Sequence, residues 1–136
     1  MNELIKNSYS EKFSFMLRLK SFSYAWSGIK SMLRTEHNSR IHFAFTICVL
    51  VMSFIFKLST MEFLMLIAVI AMVWIAELFN TCIEKLIDFV STEKHPQIKL
   101  IKDMAAAAVM IASVAALLVG AIIFIPKIFN YVSFSL

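Results

Sequence analysis

Two long segments without a single charged side chain constrain the fold of this chain more than any other feature. They cover residues 63–76 and 104–125, and a further segment at residues 41–56 is apolar apart from His42, Thr46 and Ser53. About 20 apolar residues are enough for a helix to cross a bilayer. Because 60% of the 136 residues are hydrophobic, a small water-soluble domain could not bury this much apolar surface. Lipid must therefore be the solvent for much of the chain.

The apolar segments are continuous rather than alternating, which favours helices over a membrane-spanning barrel. We predict an all-α integral membrane protein with a single domain over residues 1–136. Its transmembrane helices are expected at about residues 38–56, 61–90 and 104–125, with Pro126 ending the last of them. Because residues 57–60 form a very short turn, the first two spans should make a tight antiparallel hairpin.

A basic amphipathic helix is predicted over about residues 12–34, ahead of the first span. Its apolar side chains recur every three or four residues, which places them on one face of a helix. Such a helix with aromatic anchors suits a membrane surface, and it can equally pack its apolar face on a protein core. The stripe consists of Phe15, Leu19, Phe22, Trp26, Ile29 and Leu33.

The distribution of basic residues predicts the orientation of the chain. Seven Lys or Arg precede Ile41, and four more lie at the end of the third helix and in the loop after it. Only Lys57 and Lys127 belong to the opposite side. Basic residues accumulate on the cytoplasmic side of membrane proteins. We therefore expect a cytoplasmic N-terminus, and we expect no cleavable signal peptide because the first 40 residues are largely polar.

A polar stripe interrupts the second predicted span. At 100° per residue, Glu77, Asn80, Glu84 and Asp88 fall within an arc of about 80°, and Glu77 lies roughly 8–9 Å inside the cytoplasmic boundary of the hydrocarbon. An intramembrane carboxylate costs several kcal/mol unless it is paired or protonated. The stripe is explained either by hydrogen bonds between helices or by a bound cation such as Mg²⁺, which uses one or two carboxylates plus substrate phosphates.

Two other groups of residues could complete a site beside this stripe. Glu36, just before the first span, is either a second carboxylate for a cation or an ordinary capping or solvated acid. The loop at residues 92–104 either contacts lipid headgroups, as basic loops usually do, or presents Lys102 to a phosphate group. The charged and titratable residues of this loop are Glu93, Lys94, His95, Lys99, Lys102 and Asp103.

The segments "AELFNTCIEKLIDFVSTEKHPQIKLIKDMAAAAV" and "SFSYAWSGIKSMLRTEHNSRIH" resemble the small prokaryotic diacylglycerol kinases, a family that includes the undecaprenol kinases. The resemblance covers about residues 15–125. It implies a homotrimer of three-span subunits in the bacterial plasma membrane. We expect no nucleic-acid partner. The resemblance also implies transfer of the ATP γ-phosphate to a lipid alcohol with Mg²⁺. "EHNSRIH" is more similar to the undecaprenol kinase branch, and diacylglycerol is the alternative acceptor.

The same resemblance implies roles for individual residues. Glu77 would be the catalytic base, and Glu36 and Glu84 would hold Mg²⁺. The family often carries an arginine in the surface helix, where this chain has Leu17, so the neighbouring Arg18 is taken as the equivalent residue. The other residues expected to line the nucleotide site are Tyr24, Asn80, Asp88, Glu93, Lys94, His95, Lys102 and Asp103.

Functions of other classes fit parts of the sequence. A small transporter or proton-conducting oligomer could use an intramembrane acid such as Glu77, although paired repeats or broken helices are not evident. A purely structural membrane subunit could use the polar stripe to join helices. Cys48 and Cys82 lie in apolar segments without metal spacing, and we interpret them as small buried side chains.

Overall fold

The computed structural model describes residues 14–91 and 93–135, and these ranges form four helices without a β-strand. The helices are α1 (Phe15–Thr35), α2 (His37–Ile55), α3 (Thr60–Val90) and α4 (Pro96–Ser135). Helices α2, α3 and α4 are each long and apolar enough to cross a membrane. The predicted all-α fold with three spans after an N-terminal helix is therefore confirmed.

Helix α1 contains the boundary between two compact units, residues 1–31 and residues 32–136. Among residues 14–31 no side chain is buried, and large aromatic groups such as Phe22 and Trp26 are exposed. An apolar face of this kind needs lipid or protein to cover it, as expected for a surface helix. Residues 12 and 13, predicted for the start of this helix, lie outside the described residues.

Helices α2 and α3 form the predicted antiparallel hairpin. The Trp74 indole N–H donates to Thr46 Oγ1 at 3.0 Å, and the rings of Phe54 and Phe63 lie 6.5 Å apart near the turn. The later residue of α2, Phe54, therefore contacts the earlier residue of α3, Phe63, which is the antiparallel order. Lys57 takes a left-handed φ of 47° in the turn, and this sharp reversal allows residues 56–59 to join the two helices.

Helix α4 packs antiparallel to α3. Lys102 of α4 forms an ion pair with Asp88 near the end of α3, and Lys127 pairs with Glu62 near its beginning at 3.1 Å. Between these pairs an apolar core of Leu66, Ile123 and Phe124 packs against partly buried side chains of all three spans. The spans are therefore joined both by apolar packing and by a few polar contacts between helices. The partly buried side chains are Val49, Met52, Phe56, Leu58, Ile70 and Val119.

Two predictions about the last span are wrong. The helix begins at Pro96, well before the expected residue 104, and it continues through Pro126 to Ser135. Pro96 suits the first helical position because its φ is preset and its missing N–H would have no intrahelical partner there. Pro126 is tolerated in the interior because neighbouring groups in a membrane helix can satisfy the freed backbone carbonyl. The expected basic loop is thus largely the first turns of α4.

The interpretation of the two cysteines as buried side chains is also wrong. Cys48 and Cys82 are free thiols exposed on the surface of the chain. Large apolar neighbours such as Ile47 and Phe79 are exposed in the same way. A membrane helix carries apolar residues on its outer surface as well as in its core, so an apolar neighbourhood in the sequence does not predict burial inside the chain.

Candidate active site

The polar stripe on α3 meets α2 at a buried hydrogen bond. The Ser39 hydroxyl donates to Glu77 Oε1 at 2.9 Å, and the exposed fractions of the two residues are 0% and 2%. Glu77 Oε2 is buried and has no hydrogen-bond partner in the described part of the chain. The buried acid therefore has one oxygen that is held and one that is available to another group.

Asn80 and Glu84 continue this stripe toward the end of α3. Asn80 is buried, and its Nδ2 donates to Glu84 Oε1 at 3.3 Å. Asn80 Oδ1 is a second buried acceptor without a partner among residues 14–91 and 93–135. Native proteins rarely leave such atoms unpaired. Asn80 Oδ1 and Glu77 Oε2 belong to residues about one helical turn apart on α3. Together these two acceptors suit a cation or a hydrogen-bond donor supplied by a substrate.

Glu36 is the single non-helical residue between α1 and α2. It occupies the N-cap position of α2 with an extended backbone, but its side chain makes no capping bond, so the interpretation as a capping acid is wrong. Its Oε1 instead accepts from the Thr35 hydroxyl at 2.8 Å and from Lys85 Nζ at 2.9 Å. The hydrogen bond from Lys85, followed by that from Thr35, lowers the pKa of the Glu36 carboxyl below its ordinary value.

We expect Lys85→Met to raise the pKa of Glu36, because Lys85 makes the largest contribution to its depression. A depressed folded-state pKa means that the ion pair stabilises the fold fully above the unfolded-state pKa and loses this effect as pH falls through the folded-state value. Carboxyl ¹³C NMR of glutamate-labelled protein, titrated in a metal-free detergent solution, measures the shift. Lys99→Met is the control, since Lys99 pairs with Asp103 instead. An unchanged Glu36 titration in Lys85→Met would contradict the assignment.

A pocket of about 620 Å³ lies where the end of α3 meets the beginning of α4. Six of the predicted nucleotide-site residues line it: Asp88, Glu93, Lys94, His95, Lys102 and Asp103. Four further residues line the pocket that were not among the predicted nucleotide-site residues, although the sequence analysis placed Lys99 in the candidate loop: Ser91, Pro96, Ile98 and Lys99. These residues share only their position in the sequence, since all of them lie close to the junction of α3 and α4.

Ion pairs order the charged side chains around this pocket. Lys102 pairs with Asp88 across the two helices, and Lys99 pairs with Asp103 one turn along α4 at 2.8 Å. His95 Nδ1 accepts from the Gln97 backbone N–H at 3.2 Å. The ammonium groups are therefore held at the pocket by carboxylates, where phosphate oxygens can compete for them.

Two predicted site residues belong to the other unit of the chain. Arg18 and Tyr24 lie on α1 within residues 1–31, and both are exposed. Their assignment to the nucleotide site stays a prediction.

The oxygen atoms of the stripe fit a hard divalent cation only in part. In the ranges that the structure describes, no three His, Cys, Asp or Glu side chains converge to make a complete metal site. Mg²⁺ does not require one, because it commonly takes one or two carboxylates and fills its remaining positions with water and phosphate oxygens. Glu84 and the unpaired Asn80 Oδ1 provide donors of the right kind, whereas Oε1 of Glu36 is occupied by Lys85.

Comparison with known proteins gives matches over most of the chain. Residues 23–124 match the family model described as prokaryotic diacylglycerol kinase. The undecaprenol kinase of Bacillus subtilis (strain 168) is 38% identical over 109 residues, covering 80% of this chain and 89% of that protein. The diacylglycerol kinase of Synechocystis sp. is 34% identical over 113 residues, covering 82% of this chain and 65% of that protein. The diacylglycerol kinase of Haemophilus influenzae is 30% identical over 95 residues, covering 69% of this chain and 80% of that protein.

Proposed function

This chain belongs to the prokaryotic diacylglycerol kinase family, and from that premise we propose that it phosphorylates undecaprenol with ATP in the bacterial plasma membrane. It is a membrane lipid kinase, as the family match and the names of its relatives indicate. The similarity to an undecaprenol kinase, at 38% identity over 89% of that protein, is the observation that carries the choice of acceptor. Relatives named diacylglycerol kinase make diacylglycerol the second candidate.

Glu77 is the proposed general base. The proton of the lipid hydroxyl passes to the Glu77 carboxylate, and the lipid oxygen forms a bond to the γ-phosphorus. The bond between that phosphorus and the oxygen bridging to the β-phosphate breaks, and ADP leaves with the bonding electrons. The protonated Glu77 carboxyl group then releases its proton to water, which regenerates the carboxylate. The unpaired, buried Oε2 supports this role, because a base must reach the proton that it removes within hydrogen-bond distance.

Mg²⁺ is the proposed metal, with Glu84 and Asn80 as residues that would hold it and Glu36 as a further predicted ligand. When bound with ATP, the ion would neutralise charge on the phosphate oxygens. The hydrogen bond from Asn80 Nδ2 to Glu84 Oε1 orients the carboxylate and leaves its other oxygen for a ligand. For Glu36, the ion pair with Lys85 keeps the carboxylate ionised in the absence of metal.

The pocket at the junction of α3 and α4 is the proposed nucleotide site. Phosphoryl transfer depends mainly on positioning and on stabilising charge, and Lys94, Lys99 and Lys102 bring three ammonium groups to this pocket. Lys102 is two-thirds covered by its neighbours, so its position is the best defined of the three. This pocket lies at the end of the spans where basic residues accumulate, which supports a cytoplasmic N-terminus and access to cytoplasmic ATP.

A homotrimer is the proposed assembly. The chain exposes large apolar side chains along every span, including Phe45, Phe79 and Leu117. Lipid or neighbouring subunits must cover them, since apolar patches of this extent face one or the other in a membrane protein. Sedimentation in a density-matched detergent would give the protein mass and test the number of subunits.

The acceptor is tested by transfer of labelled γ-phosphate from ATP to undecaprenol and to diacylglycerol, measured in parallel with the purified protein. We expect label in undecaprenol, with none when Mg²⁺ is chelated. Label in diacylglycerol alone would overturn the proposed acceptor, and label in both at equal kcat/KM would remove the proposed selectivity. Activity that persists with EDTA would overturn the role of Mg²⁺.

A further inference from the structure

Ser39 is a buried polar residue that none of the assigned roles uses. It lies in the first turn of α2 with an exposed fraction of 0%, and its hydroxyl donates to Glu77 Oε1 on α3. Both partners are shielded from solvent, so the hydrogen bond is made in a medium of low dielectric constant, where such bonds are strong. A contact of this kind fixes the orientation of the side chain that accepts it.

The other two hydroxyl groups of α2 behave differently. Thr46 donates to the His42 carbonyl at 2.8 Å, and Ser53 donates to the Leu50 carbonyl at 2.6 Å. Bonding to a carbonyl of the preceding turn is the usual solution for Ser and Thr within helices, and especially in membrane spans. Ser39 is the only hydroxyl of α2 that reaches a carboxylate on another helix. The Ser39 hydroxyl therefore contacts Glu77 on α3 instead of a backbone carbonyl of α2.

The Ser39 bond makes the two oxygens of Glu77 inequivalent. Oε1 accepts the hydroxyl proton of Ser39, whereas Oε2 has no partner among the described residues. A carboxylate held through one oxygen cannot rotate freely about its last bond, so the direction of the other oxygen is set as well. Reaction rates are sensitive to such placement, and a misplacement of 1 Å can cost on the order of 100-fold.

We propose that Ser39 is a positioning residue that holds Glu77 by Oε1 and so selects Oε2 as the oxygen that takes the proton from the lipid hydroxyl. This inference rests on the proposed role of Glu77 as the base. Ser39 does not touch the substrate in this arrangement. Its effect belongs to the chemical step and leaves the nucleotide pocket, which lies beyond Glu84 toward the end of α3, unchanged.

The test compares kcat and the KM for Mg–ATP in serine variants of α2. Ser39→Ala should lower kcat by about 10- to 100-fold and leave KM for Mg–ATP within about twofold of the wild-type value. Ser39→Thr retains the hydroxyl and should show a higher kcat than Ser39→Ala. Ser53→Ala is the matched control, because Ser53 is also buried on α2 but bonds to backbone, and its kcat should stay within about twofold of wild type.

Several results would overturn the role of Ser39. The first is a kcat for Ser39→Ala within about twofold of wild type, and the second is a loss of kcat in Ser53→Ala equal to that in Ser39→Ala. The others are an equal kcat in Ser39→Thr and Ser39→Ala, and a change in Ser39→Ala that is confined to the KM for Mg–ATP. If Ser39→Ala fails to elute as folded protein in gel filtration, Ser39→Cys replaces it with the same expected direction, since a thiol is a weak donor of similar size. Glu77→Gln is measured alongside. Turnover in that variant would refute the base itself, whereas its loss together with an active Ser39→Ala would refute only the positioning role.

Discussion

Glu77→Gln should reduce kcat by about 10²- to 10⁴-fold, the range that a positioned general base contributes, without weakening nucleotide binding. Glutamine has nearly the same shape as glutamate, and its amide oxygen can still accept the hydrogen bond from Ser39. The amide cannot take a proton from the lipid hydroxyl, so the chemical step loses its base. Initial rates of labelled phosphate transfer give kcat, and isothermal titration with a non-hydrolysable ATP analogue gives nucleotide affinity.

Glu62→Gln is the matched control for this substitution. Glu62 lies on the same helix, but it caps the opposite end of α3 and pairs with Lys127. Its loss should affect stability and leave kcat close to the wild-type value. If Glu77→Gln retained turnover comparable to this control, Glu77 would not be the base, and the buried acid would need another explanation.

Glu84→Gln should raise the Mg²⁺ concentration that gives half-maximal rate by at least about tenfold. This is the lower end of the loss in metal affinity seen when groups around a protein metal site are removed. The neutral amide cannot supply the charge that a divalent cation prefers. It also changes the hydrogen bond with Asn80 that orients this side chain. The measurement is the Mg²⁺ concentration giving half-maximal rate at a fixed ATP concentration, together with the KM for Mg–ATP.

The Glu84 result is distinguished from a general loss of structure by two comparisons. Glu62→Gln should keep the wild-type Mg²⁺ dependence, and excess Mg²⁺ should restore part of the rate of Glu84→Gln. A variant with unchanged Mg²⁺ and Mg–ATP dependence would remove Glu84 from the metal site. A rate that is low at every Mg²⁺ concentration would assign Glu84 to a different step.

The three spans could be predicted from the sequence because lipid leaves the backbone few alternatives to a helix. Hydropathy, however, reports the part of a helix that lies in hydrocarbon and not the whole helix. Helix α4 therefore extends in both directions beyond the segment that contains no charge. Pro126 was expected to end the helix because an interior proline removes a backbone hydrogen bond and clashes with the preceding turn, but neighbouring groups in a membrane helix can satisfy the freed carbonyl.

The candidate site was partly predictable for a related reason. Helical spacing alone places Glu77, Asn80 and Glu84 on one face, and the structure has the side chains of Glu77 and Asn80 buried there. The partners from other segments depend on how α2 is aligned along α3, and the spacing within one helix carries no information about that alignment. For this reason neither the Ser39 bond to Glu77 nor the Lys85 pair with Glu36 was foreseen.

The length of α3 also sets a distance for the chemistry. Asp88, at the proposed nucleotide pocket, lies eleven positions after Glu77 on the continuous helix α3, which corresponds to about 16.5 Å along the helix axis. The distance between Glu77 and Asp88 is fixed, because α3 is continuous between them and contains no glycine or proline there. With the nucleotide in the proposed pocket and Glu77 as the proposed base, the γ-phosphate has to reach along α3 from the pocket toward Glu77. The acceptor meets it only if its hydroxyl sits at the depth of Glu77, so immersion depth becomes a criterion by which lipid alcohols are selected.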